Sequence, residues 1–589
     1  MLIAEAINET AGARGDRADL VIIGNGIAGM TAAIEARKLE PRMRIVIVTA
    51  QNHPTINTPV LKQFTVGGLS REQLAAYPLG TERTLGLEML HARVTHIRAA
   101  DNELVFADGS TYGYQSLLIA TGSHPVSLPA TLPGYDLDGV LTLHRLPDYL
   151  SLVRRLQVRG EGEVREVVVV GGGIHAGETV ESLLRRGLVV HWLLRRDRVY
   201  SRVLDKRASD LALEHFRHQG AHIWQRTELV GIIGLIGCVT GVATTQHEHL
   251  SCQLVLFCTG TVPALELARA CDSPLETARG IQVDTRLATS LTGVYAAGDV
   301  AALKNPWTGG YETRAQWAAA VEQGRRAALS VTGRDEHPPR SFGAPWHATL
   351  LGDLALLTVG MTRESNDTEA LTHEQDGGYY RMTVRQNQLI GYLALGPRPV
   401  DGVGIKRLID EGIPWADAAE SLLTGTFEAH TFFPRHHTAQ LRTSSSPTRF
   451  AQGQFEANVD QTTPRGLQSS GSLLAVGGRT RRSARPMLSH KPWPSIQHEV
   501  HACIGCNACL LACPALADPL NIDALNQETL SGPTSEPVIR FARACYQCGA
   551  CVDPCPVGLH RDAMMLWLKV CLLRTDAGQN EEGTSYVTQ

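Results

Sequence analysis

Apolar and polar positions fall along this chain in blocks of alternating strand and helix character. Ala18–Ile23 is a mostly apolar run of strand length, leading through Gly24-Asn25-Gly26-Ile27-Ala28-Gly29 into a helix-like Met30–Leu39. The design returns as Glu166–Val170, then Gly171-Gly172-Gly173-Ile174-His175-Ala176, then a helical Gly177–Arg186. Each unit is followed by another apolar strand, Arg44–Val48 and Val189–Leu194. A glycine turn between a buried strand and a helix lets backbone N–H groups approach a phosphate closely. Two such βαβ units predict two dinucleotide sites.

Short strands with turn residues lie between and after these units, among them Leu104–Asp108 and Leu254–Cys258. Gly378–Gly396 predicts two strands across the polar turn Gln386-Asn387-Gln388, followed by a helical Gly404–Glu411. Residues 18–160 with 285–335 are assigned to the first dinucleotide fold and 161–284 to the second. A small α+β domain takes 340–433. Residues 436–492, rich in Ser, Thr, Gln, Gly and Arg with little periodicity, are read as a linker. The segment 494–574 carries a cysteine cluster and closes on an apolar helix, Ala563–Leu573.

Composition narrows the partners. The 589 residues are 43% hydrophobic and 19% charged, enough apolar material for several cores. A net charge of −4 gives no electrostatic case for a nucleic acid or an anionic membrane. Met1–Arg17 has no apolar run of the secretory kind. The longest uncharged stretch, Leu229–His247, is broken by four glycines and reads as strands and turns. A cytoplasmic protein without a transmembrane segment is expected.

Eight of the thirteen cysteines crowd into Cys503–Cys555. They form Cys503-x2-Cys506-x2-Cys509-x3-Cys513-Pro514, repeated as Cys545-x2-Cys548-x2-Cys551-x3-Cys555-Pro556. Three thiolates at this spacing wrap one face of a cubane, while the fourth cysteine ligates the other cluster. Cluster one therefore takes Cys503, Cys506, Cys509 and Cys555; cluster two takes Cys545, Cys548, Cys551 and Cys513. Zinc, which typically uses two CxxC pairs, accounts poorly for the doubled order. Two [4Fe-4S] clusters are predicted. The spacer Ala515–Ala544 is longer than a compact bacterial ferredoxin needs. The terminal segment resembles the α-helical ferredoxin module of heterodisulfide reductase C subunits and of succinate dehydrogenase iron–sulfur subunits.

Further motifs accompany the glycine loops. Leu118-Ile119-Ala120-Thr121-Gly122 has a counterpart in Leu256-Phe257-Cys258-Thr259-Gly260, and Gly293-Val294-Tyr295-Ala296-Ala297-Gly298-Asp299 follows. With these, residues 1–433 resemble the two-dinucleotide-fold flavoproteins: NADH oxidases, ferredoxin and rubredoxin reductases, and the flavin module of assimilatory nitrite reductases. The resemblance implies FAD on the first fold, with Gly24, Gly26 and Gly29 cradling its pyrophosphate. Thr121, Gly122 and Gly298 belong to the same site, and Asp299 would accept a hydrogen bond from the ribityl chain. NAD(P) is implied on the second fold, at Gly171, Gly173, Ala176 and Gly260. The overall class is α/β: two Rossmann-like folds, a small α+β domain and a C-terminal α-helical ferredoxin domain.

This sequence departs from the family pattern in three places. Thr49 stands where an acid usually binds the FAD ribose. Arg195 and Arg196 stand where an NADH enzyme usually has an acid, and guanidinium suits a 2′-phosphate, so NADPH is favoured. The plain alternative is a solvated basic turn, since Arg198 and Arg202 follow. Ala176 replaces the third glycine, a tolerated variant.

Lys62, in Asn57-Thr58-Pro59-Val60-Leu61-Lys62, and Glu178 occupy the positions of the family's lysine–glutamate pair beside the flavin. By resemblance they orient the hydride donor; the plain alternative is a surface lysine and a helix-N-terminal glutamate. Trp317 resembles a residue lining the flavin pyrimidine edge, or is a core tryptophan.

No CxxxxC or CxxC lies in the flavoprotein half, so disulfide reduction is not expected. Cys238, Cys252, Cys258, Cys271 and Cys571 are isolated and read as core cysteines. His436, His437, His498 and His501 read as linker residues. No siroheme, molybdopterin or flavodoxin signature is present, which places the terminal acceptor on a redox partner protein.

Flavin converts a hydride into single electrons, and the chain encodes both ends of that conversion. An FAD-dependent NAD(P)H oxidoreductase feeding two clusters and then a partner is the expectation, with the direction of flow open. The second reading is an electron-transfer subunit of a heterodisulfide-reductase-like or nitrate/nitrite-assimilation complex, with no nicotinamide reaction of its own.

Overall fold

The computed structural model describes residues 17–433 and 493–581, except 78, 161, 248, 337–340, 430–431, 512, 514–519, 533–534, 546–550, 553–554 and 558. The linker 436–492, His436, His437 and the expected ligand Cys548 lie outside the described residues.

The strand Arg17–Ile23 runs through the middle of the first sheet, parallel to Ile45–Thr49 on one side and Thr111–Ile119 on the other. Glu88–His91 and Val294–Ala296 extend it, both parallel. Leu20, Val21 and Ile22 have no exposed surface, which is why the strand reads as one apolar run with no alternation. The helix Ile27–Leu39 covers one face, burying Met30, Ala33 and Ala36. It begins three residues earlier than its periodicity indicates, because the last turn of the glycine loop is already helical.

The second sheet is parallel throughout, in the order His222–Gln225, Val189–Leu194, Glu166–Val170, Leu254–Phe257, Val140–Thr142. Two expected boundaries need correction. Val140–Thr142 and the helix Leu146–Leu156 belong to the second sheet and its core rather than to the first fold. Conversely, Leu265, Leu267, Ile281 and Val283 already pack in the first core, so the chain returns there well before 285. The two crossings pair Ser123–Pro125 with Thr261–Pro263.

The third sheet is antiparallel: Trp346–Leu351, Leu354–Gly360, Gln388–Gly396, Gly378–Arg385 and Glu369–Gln375. The helix Gly402–Asp410 packs on it. The C-terminal segment is helical, with Trp493–His501, Ile522–Ser531, Glu536–Ala544 and Arg561–Glu581. It is not a separate body. Ile496, Val500, Val557 and Leu559 complete the small domain's core beside Tyr392, Ile405 and Leu408. Burying side chains of this size contributes on the order of 1.5–3 kcal/mol each.

His498 and His501 lie on the first of these helices. They are exposed residues of a helix, not linker residues. Cys252, Cys258 and Cys271 are buried as expected, whereas Cys238 is exposed at the tip of a hairpin. No helix among the described residues is long and apolar enough to cross a membrane.

Candidate active site

Each glycine loop is tight at one end and open in the middle. A Cβ on Gly24 would fall 2.4 Å from the Ala120 carbonyl oxygen, and one on Gly29 would fall 2.1 Å from the Gly24 carbonyl oxygen. Gly26 between them faces open space. It caps the helix Ile27–Leu39, which has no side-chain cap and no acid in its first turn, so its N–H groups and dipole are left for an anion. The second loop repeats this: a Cβ on Gly171 would fall 2.3 Å from the Cys258 carbonyl oxygen, Gly173 faces open space, and the following helix is likewise uncapped. Ala176 is fully buried; the close approach behind it is made at Gly177, where a Cβ would strike the Tyr200 hydroxyl. Both cradles fit a dinucleotide pyrophosphate.

Around the first cradle, Gly298 packs on Ala28, and Asp299 Oδ2 accepts from Ser123 Oγ at 2.8 Å. Burial raises the Asp299 pKa, opposed by that bond. Thr121 and Gly122 sit at the first crossing, where Thr121 Oγ1 donates to the Ala264 carbonyl, and Gly260 stands at the second crossing with open space before it. Thr49 is buried, donates its hydroxyl proton to Asn25 Oδ1 at 2.9 Å and accepts from the Gln51 N–H. These bonds tie the second strand to the glycine loop and leave the hydroxyl oxygen one lone pair. Arg195 and Arg196 are exposed directly after Val189–Leu194, at the mouth of the second cradle.

Lys62 and Glu178, 116 positions apart, meet: Nζ lies 3.2 Å from Oε1. The short helix Leu61–Thr65 supplies the lysine, and the helix after the second glycine loop supplies the glutamate. Thr349, from the first strand of the small domain, completes the group; its hydroxyl donates to the same Glu178 oxygen at 2.6 Å and lies 3.2 Å from Nζ. Burial works against charge on both partners. Lys62 nevertheless has its pKa raised, with Glu178 and Cys506 more than offsetting burial. Against the same opposition, Lys62 and the Thr349 bond hold Glu178 down to about 2. His347, on the same small-domain strand, is lowered by burial and has an unpartnered buried Nε2. Neither Thr349 nor His347 carries a local sequence signal.

The cysteine loop docks against this group. Gln63 Nε2 donates to the Cys506 carbonyl at 2.7 Å, and Asn57 Nδ2 donates to the Gly505 carbonyl at 3.0 Å and to Asp523 Oδ2 at 3.1 Å. The Trp317 indole also donates to Asp523. Gly505 has φ +70°, and a Cβ there would come within 2.6 Å of the indole nitrogen, so only glycine lets the loop lie this close. Trp317 is thus buried, with one end in the first core and the other on the cysteine module.

Cys555, from the second motif, is buried in a core against which Cys503 of the first also packs, and Cys506, Cys509 and Cys503 add to the burial that raises its thiol. Cys551 interacts with Cys545 and with Cys509, and Cys513 packs in the same core. Burial pushes the thiols of Cys506 and Cys551 up to about 12, and raises Cys509 and Cys555 as well. Among the described residues, no three His, Cys, Asp or Glu side chains close to the spacing of a single metal ion. The donor set, thiols around a buried guanidinium from Arg561, fits an anionic iron–thiolate cluster.

Comparison with known proteins agrees with both halves. The model of the pyridine nucleotide-disulphide oxidoreductase family matches residues 18–324, and that of the 4Fe-4S dicluster domain matches 502–559. The chain is 28% identical over 436 residues to a CoA-dependent NAD(P)H sulfur oxidoreductase of Pyrococcus abyssi, covering 70% of this chain and 92% of that one. It is 27% identical to a rubredoxin–NAD(+) reductase of Pseudomonas putida, covering 61% and 93%. A crystallised ferredoxin reductase from Rhodopseudomonas palustris superposes with a TM-score of 0.58 at 26% identity, over 64% of this chain and 91% of that one.

Proposed function

We propose, from the premise that the chain belongs to the pyridine nucleotide-disulphide oxidoreductase family, that it moves electrons from NAD(P)H through FAD to its own two clusters and on to a partner protein. It is a flavoprotein oxidoreductase with a 4Fe-4S domain. One observation carries the finer reading: the loop bearing Cys506 is hydrogen-bonded to Gln63, the residue next to Lys62. Bound FAD would accept a hydride and release single electrons, and each bound cluster would carry one electron at a time.

The chain's own residues divide the remaining work. The two glycine cradles hold the pyrophosphates. The Lys62–Glu178–Thr349 group fixes a charged pair whose ammonium can steady negative charge developing beside it. Asn57, Gln63, Trp317 and Asp523 hold the cysteine module against that group and keep water out. Cys503, Cys506, Cys509 and Cys555 would bind the near cluster; Cys545, Cys548, Cys551 and Cys513 the far one. Exposed Arg195 and Arg196 favour the 2′-phosphate of NADPH. Cysteines committed to metal fit a reducing, cytoplasmic setting.

No cysteine precedes Cys238, and Cys271, which packs in the first core, is buried. That favours an electron-transfer role of the rubredoxin-reductase kind over the sulfur reduction named in the archaeal relative. The test is an anaerobic titration of cluster-replete protein with NADPH and then NADH, following flavin absorbance and cluster EPR together. Flavin bleaching with cluster signals establishes the transfer, and the better donor decides the role of Arg195. If neither responds while dithionite reduces both, the nicotinamide site is idle and the chain is a wiring subunit.

A further inference from the structure

Arg561 opens the last helix and is buried, at 3% exposure, among residues from both cysteine motifs. Its Nη2 lies 3.6 Å from Cys503 Sγ and its side chain also bonds Cys509, while Nε and Nη1 have no hydrogen-bond partner among the described residues. The titratable groups facing it are Cys503, Cys509 and Cys555 of the first ligand set, Cys551 of the second, and more distantly Asp523. A buried guanidinium without a bonded carboxylate is costly unless an anion fills the space beside it. A cubane held by four thiolates is such an anion, and it gains one further negative charge on accepting an electron.

We propose that Arg561 sets the reduction potential of the near cluster, holding it high enough to take electrons from the flavin side. A fixed positive charge in a low-dielectric site stabilises the reduced cluster more than the oxidised one, and an N–H···S bond acts in the same sense. Guanidinium suits the task because it stays charged when buried and offers several donors from one plane. The effect is larger on the cluster bound by Cys503 and Cys509 than on the one bound by Cys551, since the close contact is to Cys503. No proton moves in the step; one electron enters the cluster and the arginine stays charged throughout.

This rests on the cluster assignment proposed above, and its test does not use NAD(P)H. Full-length wild type, R561Q, R561M and R561K are reconstituted, iron and sulfide are counted, and each is titrated with dithionite and mediators while EPR is recorded. In R561Q and R561M, the near cluster's ratio of reduced to oxidised form at a given potential should fall at least tenfold, about 59 mV for one electron. R561K, which keeps the charge, should stay near wild type. An unchanged potential in a neutral variant that carries its full iron overturns the proposal, as does a lysine variant that shifts like glutamine. If both neutral variants fail to retain iron while lysine retains it, Arg561 is an assembly element and the potential-setting role is refuted. Wild type that shows no cluster signal even with dithionite would instead refute the cluster assignment itself.

Discussion

Asn57 Nδ2 donates to the Gly505 carbonyl at 3.0 Å, joining positions 448 residues apart and seating the cysteine loop on the flavoprotein. The same amide reaches Asp523, and Asn57 has no exposed surface. Asn57→Ala would leave a buried carboxyl and a buried carbonyl short of a donor, at about 1–3 kcal/mol. The expected outcome is uncoupling. In anaerobic stopped-flow, flavin bleaching by NAD(P)H should keep its rate while the cluster signal rises on the order of tenfold more slowly, a change of about 1.4 kcal/mol in the barrier. Equal slowing of both phases would mean that Asn57 serves the flavin site as a whole.

Lys62 and Glu178 should act as a unit. Lys62→Met and Glu178→Gln are each expected to slow flavin reduction by on the order of 10²-fold, the scale for losing one preorganised charge. The double variant should be little worse than either single one, because one absence already dissolves the pair. Single-turnover rates at saturating NADPH give the answer, and additive losses would refute the pairing.

Asp523 predicts a pH dependence. Burial pushes its carboxyl up to about 7 from an ordinary 3.8, with the Trp317 bond opposing. Between those values the folded chain holds a proton that the unfolded chain has released, so stability falls as pH rises from about 4 to 7 and then levels. Asp523→Asn should flatten this slope by about 1 kcal/mol or more, since a tenfold difference in proton affinity between the folded and unfolded chain is worth about 1.4 kcal/mol. Thermal unfolding of both proteins at pH 5 and 7.5 measures it; parallel curves would exclude Asp523 as the titrating group.

The first glycine loop separates folding from binding. Gly26→Ala adds a methyl in open space, so stability should change by no more than about 0.5 kcal/mol. FAD retention should nonetheless drop on the order of tenfold, because the methyl occupies room the pyrophosphate needs. Gly24→Ala should damage the fold itself, its methyl falling 2.4 Å from the Ala120 carbonyl oxygen. Flavin content on purification and melting temperature together discriminate the two, and the reverse pattern would move the cradle elsewhere.

The parts of this molecule legible in the sequence are those whose chemistry is local. A glycine loop or a CxxCxxC run needs particular residues at adjacent positions, so Gly24–Gly29 and Cys503–Cys509 announce themselves. The hairpin Gly378–Gly396 does so as well, through its polar turn. Long-range supply is silent: Thr349 and His347 reach the Lys62–Glu178 pair from a strand whose own pattern speaks only of the small domain. Asn57 stands beside Lys62 in one short motif but, uncharged and with its partner at position 505, gives no sign of its role. Val140–Thr142 is too short for a periodicity, so chain order alone puts it in the wrong sheet. Thr49 is legible only by position; its bond to Asn25 is not.

The helix Leu61–Thr65 is five residues long, so about 7.5 Å from end to end. Lys62 turns one way from it to Glu178, and Gln63 turns another way to the Cys506 carbonyl. Two adjacent side chains on one turn of helix thus serve two different neighbours, the buried ion pair and the cysteine loop. In the proposed transfer, the place where electrons enter and the place where they leave are separated by a single peptide unit.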